Sequence, residues 1–185
     1  TLEWGAMLPA ILASPPDPET VGPNWREMWQ ERLDHCAFPL ENWIRHETQD
    51  AYWRHGSVSD NVEDISCPML LVGGWVDRYS NTVMNLLSRS HNPSWGIVGP
   101  WGHHYPDVAT PGPGINFQAE AIRWWDRWLL GRENGIEYEP RLRVWRQEYV
   151  PPQNKLHERP GSWIAENQWP STNVAPRTYR LGYGV

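Results

Sequence analysis

MLLVGGWVDRYSNTVMNLLSRSHNPSWGIVGPWGHH, residues 69–104, is the stretch from which the fold can be read. Two short apolar runs frame it, Met69-Leu70-Leu71-Val72 and Trp95-Gly96-Ile97-Val98, each bounded by Gly or Pro. Runs of this length closed by glycine-rich turns read as strands buried on both faces. Between them, NTVMNLLSRS turns Val83, Met84, Leu86 and Leu87 toward a sheet, with Ser80 placed to cap the helix and His91-Asn92-Pro93 to stop it. Strand, helix and strand predict a βαβ unit with parallel pairing, and hence an α/β fold. Asp77 lies just past the first strand and His103 just past the second. Functional side chains in open parallel sheets collect beyond the carboxyl ends of the strands, so an acid and an imidazole are expected at one edge.

Upstream, residues 13–23 form a Pro/Gly/Asp loop. From Asn24, a suitable N-cap, Trp25, Met28, Trp29 and Leu33 recur at helical spacing, and Pro39 opens another short helix. Short Trp-rich helices without strands, over residues 1–60, suit a cap lying over a sheet edge. Downstream, FQAEAIRWWDRWLL reads as an amphipathic helix closed by Gly131, with Ala121, Trp124, Trp125, Trp128 and Leu129 as its buried stripe. Residues 61–138 are therefore assigned to the α/β core. From about Pro140 the pattern changes: Leu142-Arg143-Val144-Trp145 alternates with period two, and Pro-rich spacers follow. Residues 139–185 are expected to be a connector and the first strands of a separate antiparallel β domain. The chain starts at Thr1 inside an element and stops at Tyr179–Tyr183, where a strand begins, so it reads as an internal piece of a longer polypeptide.

Composition removes some classes of function. The net charge is −6 and no Lys/Arg cluster occurs, which argues against nucleic acid as a partner. No apolar run approaches the roughly 18 residues of a membrane span. Cys36 and Cys67 have no metal-ligand spacing and read as free thiols.

An Asp and a His delivered by successive strands match two parts of a hydrolytic triad, in which the acid orients the base and the base activates a nucleophile. The order acid then histidine is that of α/β hydrolases, whose nucleophile comes earlier in the chain. Simpler readings exist for both residues: Asp77 as a turn-capping carboxylate and His103 as a satisfied loop histidine. His103, His104 and Asp107 could also be drawn as a metal cluster, but no metal or cofactor is needed to account for them.

The pattern is also specific to a family. Pro68, four apolar residues and Gly73-Gly74-Trp75-Val76-Asp77 resemble the triad-acid motif of the cocaine esterase and X-prolyl dipeptidyl-peptidase family. Val98-Gly99-Pro100-Trp101-Gly102-His103, with a helix ending Asp126-Arg127-Trp128-Leu129-Leu130-Gly131, is similar to the segment carrying that family's histidine. The resemblance implies an α/β-hydrolase fold, the end of a helical cap before it and the start of a jelly-roll domain after it. It implies a serine hydrolase acting on esters, amides or peptides through an acyl-enzyme, with Asp77 as acid and His103 as base. Tyr79 aligns with an aromatic position lining the acyl pocket, and Trp75, Trp101 and His104 flank the same edge as candidate substrate contacts, with core packing as the other reading of the two tryptophans. Glu41, Glu47 and Asp50 are the cap carboxylates available to an amine-bearing substrate.

One element of the family pattern is missing. No Gly-x-Ser-x-Gly occurs in these residues, so the nucleophile is expected upstream, and the chain alone should be inert. A reading from a different class is a non-catalytic relative, or a carbohydrate- or protein-binding module working through its tryptophans.

Overall fold

The computed structural model describes residues 2–182, and the chain divides into two compact units, residues 1–60 and 61–185. The first unit is helical: α1 (Leu2–Leu12), α2 (Pro18–Val21), α3 (Trp25–Asp34), α4 (Pro39–Arg45) and α5 (Ala51–Arg54). Two of these helices start on an aspartate cap, Asp17 and Asp50, each accepting an amide of the first turn. Asn24 precedes α3 without a side-chain cap. The tryptophans of this unit meet one another and backbone carbonyls: Trp25 stacks on Trp29, Trp43 lies against Trp53, and the Trp29 indole donates to the Ala13 carbonyl.

The second unit carries the sheet. Its order is β1 (Met69–Gly74), β2 (Ser94–Gly99), β3 (Leu142–Gln147) and β4 (Gly161–Glu166). β1 and β2 run parallel in continuous register, from Met69 opposite Ser94 to Gly74 opposite Gly99. The crossover between them is α6 (Ser80–Arg89), and α7 (Phe117–Trp128) follows β2. The βαβ unit is therefore present as expected, in an α/β sheet.

Alternation along β2 divides the core. Val98 joins Val83 and Leu87 of α6 with Leu142 and Val144 of β3, while Ile97 joins Trp101 and Ala109 on the other face. Each of the buried Val, Leu and Ile side chains contributes about 1.5–3 kcal/mol. β2 is buried nearly throughout, whereas β1 is only half-buried along most of its length. Its apolar run predicts full burial, but among the described residues β1 ends the sheet and has a neighbour on one side only.

Four further expectations need correction. β3 is a strand, but it pairs parallel to β2, placing Leu142 opposite Gly96 and Val144 opposite Val98, and β4 pairs antiparallel to β3. Residues 139–166 thus extend the α/β sheet and do not begin a separate sandwich, because Leu142 and Val144 bury against α6. A period-two pattern is the same in either architecture. Residues 179–182 lie outside any strand, and the rest of the strand expected there, to Tyr183, lies outside the described residues.

α7 buries a narrower stripe than expected. Trp124 is buried and packs with Trp128 against Trp95, whereas Trp125 and Leu129 are exposed. Finally, α6 has Tyr79 at its N-cap position, and Ser80 is already the first helical residue.

Candidate active site

The acid loop is held by two backbone bonds to the end of β2 and the segment after it. After β1, the amide of Trp75 donates to the Gly99 carbonyl at 3.0 Å and that of Val76 to the Trp101 carbonyl at 3.0 Å. The loop carrying the acid is thereby laced to the end of β2, which carries the histidine. Glycine is required at this crossing, because a Cβ on Gly74 would run into the Trp101 carbonyl. Likewise, a Cβ on Gly99 would enter the Trp101 indole, which lies buried beneath the turn with its N–H on the Pro113 carbonyl at 2.8 Å.

This lacing brings Asp77 and His103 together. His103 Nδ1 lies 2.9 Å from Asp77 Oδ2, while Oδ1 accepts the Tyr79 amide at 2.9 Å. Burial alone would push the Asp77 carboxyl up. The Tyr79 amide, the bond and charge of His103 and the Arg78 amide outweigh it and hold the carboxyl below its ordinary 3.8. An ionised carboxylate only accepts, so Nδ1 carries the proton and Nε2 of the neutral ring keeps its lone pair. The Asp77 side chain is 13% exposed and that of His103 79%, so the acid is enclosed and the base is open. Among the described residues Nε2 has no hydrogen-bond partner.

The pair opens on a cavity of about 450 Å³ lined by Val72, Gly73, Asp77, Trp101, His103 and His104, among others. Tyr105, Pro106 and Val108 complete the wall. Sequence reasoning misses these three, and the only signal for them is the Gly/Pro-rich composition of the loop after His103. The Tyr79 ring stands 5.7 Å from that of His103 and is 57% exposed. Trp101 forms part of the wall from a fully packed position, and His104 lines the cavity.

Trp75 is placed elsewhere. Its indole donates to the Trp145 carbonyl at 2.7 Å, and its ring lines a different, apolar cavity with Met84, Val144 and Trp169. No serine, threonine or cysteine lines the Asp77–His103 cavity among the described residues. No group of three or more His, Cys, Asp or Glu stands ready for a metal among those residues either.

A second His–Asp contact lies in the helical unit, where His46 Nδ1 meets Asp50 Oδ2 at 2.6 Å. It is an i,i+4 pair within the α4–α5 connection, and Asp50 also caps α5 through the Tyr52 amide. That geometry explains it as local structure. Of the other carboxylates singled out in the helical unit, Glu41 is paired with Arg45 at 2.6 Å, and Glu47 lines a cavity with Trp43 and Trp53.

With this geometry established, comparison with known proteins is informative. The sequence model of the X-Pro dipeptidyl-peptidase (S15) family matches residues 2–105, a span that includes both Asp77 and His103. Two crystal structures of a CocE/NonD family hydrolase from Staphylococcus aureus share the fold. They superpose with TM-scores of 0.52 and 0.51 at 14% and 13% identity. Each comparison covers 80% of this chain and 25% of the solved chain, so the present chain spans about a quarter of those structures. No curated protein matches.

Proposed function

Because the chain belongs to the X-Pro dipeptidyl-peptidase (S15) family, we propose that Asp77 and His103 are the acid and base of a serine hydrolase. The nucleophile would be supplied by a part of the polypeptide other than these residues. The observation that carries this reading is the 2.9 Å bond from Nδ1 to an enclosed carboxylate, with Nε2 turned to an open cavity.

In the proposed reaction, Nε2 takes the proton of the serine hydroxyl as its oxygen attacks the carbonyl carbon of an ester, amide or peptide. Asp77 keeps the ring in the tautomer that has this lone pair and stabilises the imidazolium that forms. The proton passes from Nε2 to the leaving alcohol or amine as the acyl bond breaks. A water molecule, deprotonated by the same nitrogen, then releases the acid and frees the serine. His104 and Tyr79 are proposed to contact substrate, and the Trp-rich unit to be part of the family's cap.

The test uses the full-length protein. His103→Ala should cut turnover by about 10⁴ to 10⁶, on the precedent of triad deletions. Near-normal esterase and peptidase activity in that variant would overturn the assignment. The isolated chain should not be labelled by a fluorophosphonate probe, and specific labelling of one of its serines would sink the claim that the nucleophile lies elsewhere.

A further inference from the structure

Beside the acid loop lies another cavity, of about 470 Å³, which shares no lining residue with that of Asp77 and His103. Val76, Thr110, Gln147, the 150–156 loop and Arg159 form its walls. Lys155 and Arg159 both face onto it and no Asp or Glu does, although acids outnumber bases 22 to 16 in the chain.

Arg159 is mounted by its backbone. Its amide donates to the Gly112 carbonyl at 2.8 Å, and its carbonyl accepts the Trp145 indole at 3.1 Å. Its side chain has no comparable anchor. Nε is buried without a hydrogen-bond partner, and among the described residues no carboxylate pairs with the guanidinium. Arg45, Arg89, Arg123, Arg132 and Arg143, by contrast, each hold a glutamate or aspartate. A guanidinium that is partly desolvated and lacks a carboxylate partner is costly, and an incoming anion relieves that cost. Its planar fork of donors matches the two oxygens of a carboxylate or phosphate.

We infer that this cavity is an anion-binding site in which Arg159, assisted by Lys155, holds the carboxylate or phosphate of a small ligand. The site is separate from the acyl-transfer chemistry proposed above and does not depend on it.

The test is titration of the chain with inorganic phosphate and, separately, with succinate, at ionic strength held constant by sodium chloride, followed by amide NMR. Saturable shifts are expected at Asn154, Lys155 and Arg159 with one or both anions. Saturation by phosphate alone assigns the phosphate class, and by succinate alone the carboxylate class. Arg159→Gln should weaken binding roughly tenfold or more, as expected for loss of a charge-assisted bidentate contact. Failure of both anions to saturate, or equal affinity in Arg159→Gln, overturns the site. Lys155 is exposed, so Lys155→Gln retains the fold even if Arg159→Gln does not. Unchanged affinity in Lys155→Gln would overturn the two-cation site.

Discussion

The indole N–H of Trp75 donates to the main-chain carbonyl of Trp145 at 2.7 Å, joining the acid loop to β3 across 70 residues of chain. Two residues before Asp77, this bond ties the loop to the strand that lies beyond β2 in the sheet. Trp75→Phe should therefore lower stability by about 1 kcal/mol, the usual net worth of such a bond. It should also speed hydrogen exchange at the amides of Val76 and Asp77. Trp95→Phe is the control, since it removes a similar indole bond, to the Glu139 carbonyl at 3.0 Å, near the start of β2 and away from the acid loop. Urea unfolding and exchange NMR should show similar stability losses, with faster exchange at the acid loop only for Trp75→Phe.

Asp77 supplies a pH dependence of defined sign. Its folded carboxyl lies below the 3.8 of an ordinary aspartate, so the stability it contributes is fully present above that value. That contribution is lost as pH falls through the lower folded value. His103→Ala removes the imidazole's bond and charge, and the Asp77 carboxyl should then titrate at higher pH. Carbon NMR of the side-chain carboxyl measures this directly. An unchanged titration would mean that the two side chains do not interact in solution.

Gly74→Ala should be among the most damaging single-methyl changes in the chain. The added carbon meets the Trp101 backbone, which cannot turn aside as a flexible side chain could. Separating the two loops is the only relief, and it parts Asp77 from His103. A loss of about 3 kcal/mol or more is expected in urea unfolding, at the upper end for overpacked sites.

Glu120 on α7 and Arg143 on β3 form a two-pronged pair, with bonds of 2.9 and 2.8 Å. The Arg143 contact outweighs burial and holds the Glu120 carboxyl below its ordinary 4.5. Its stabilising effect is therefore present above that pH and fades as pH falls through the folded value. Glu120→Gln should cost about 1–2 kcal/mol, less than for a fully buried pair because both side chains retain some exposure. Unfolding free energies measured against pH should show that the variant lacks this part of the acid-induced loss.

The βαβ unit is legible in the sequence because each strand is a short apolar run closed by glycine, and the intervening helix shows its face at helical spacing. Asp77 and His103 are legible for the same reason, as the polar residues just past two strand ends. The role of Trp75 is not, since a large aromatic beside an acid looks the same whether it faces substrate or bonds a distant carbonyl. β3 reads equally well as part of a sandwich or of the sheet, because alternation carries no information about which sheet a strand joins. The exposure of Trp125 and Leu129 could not be anticipated either, since helical spacing marks an apolar face without saying how much of it the sheet covers.

The bond between Trp75 and Trp145 also implies an order in time. During synthesis Asp77 and His103 leave the ribosome well before residue 145, so the two reacting groups exist in the chain before their loop has its last restraint. The β2–β3 pairing waits for the same segment. Until β3 has been made, the acid loop is held by its contacts to the end of β2 alone, and its restraint from residue 145 is the last to arrive.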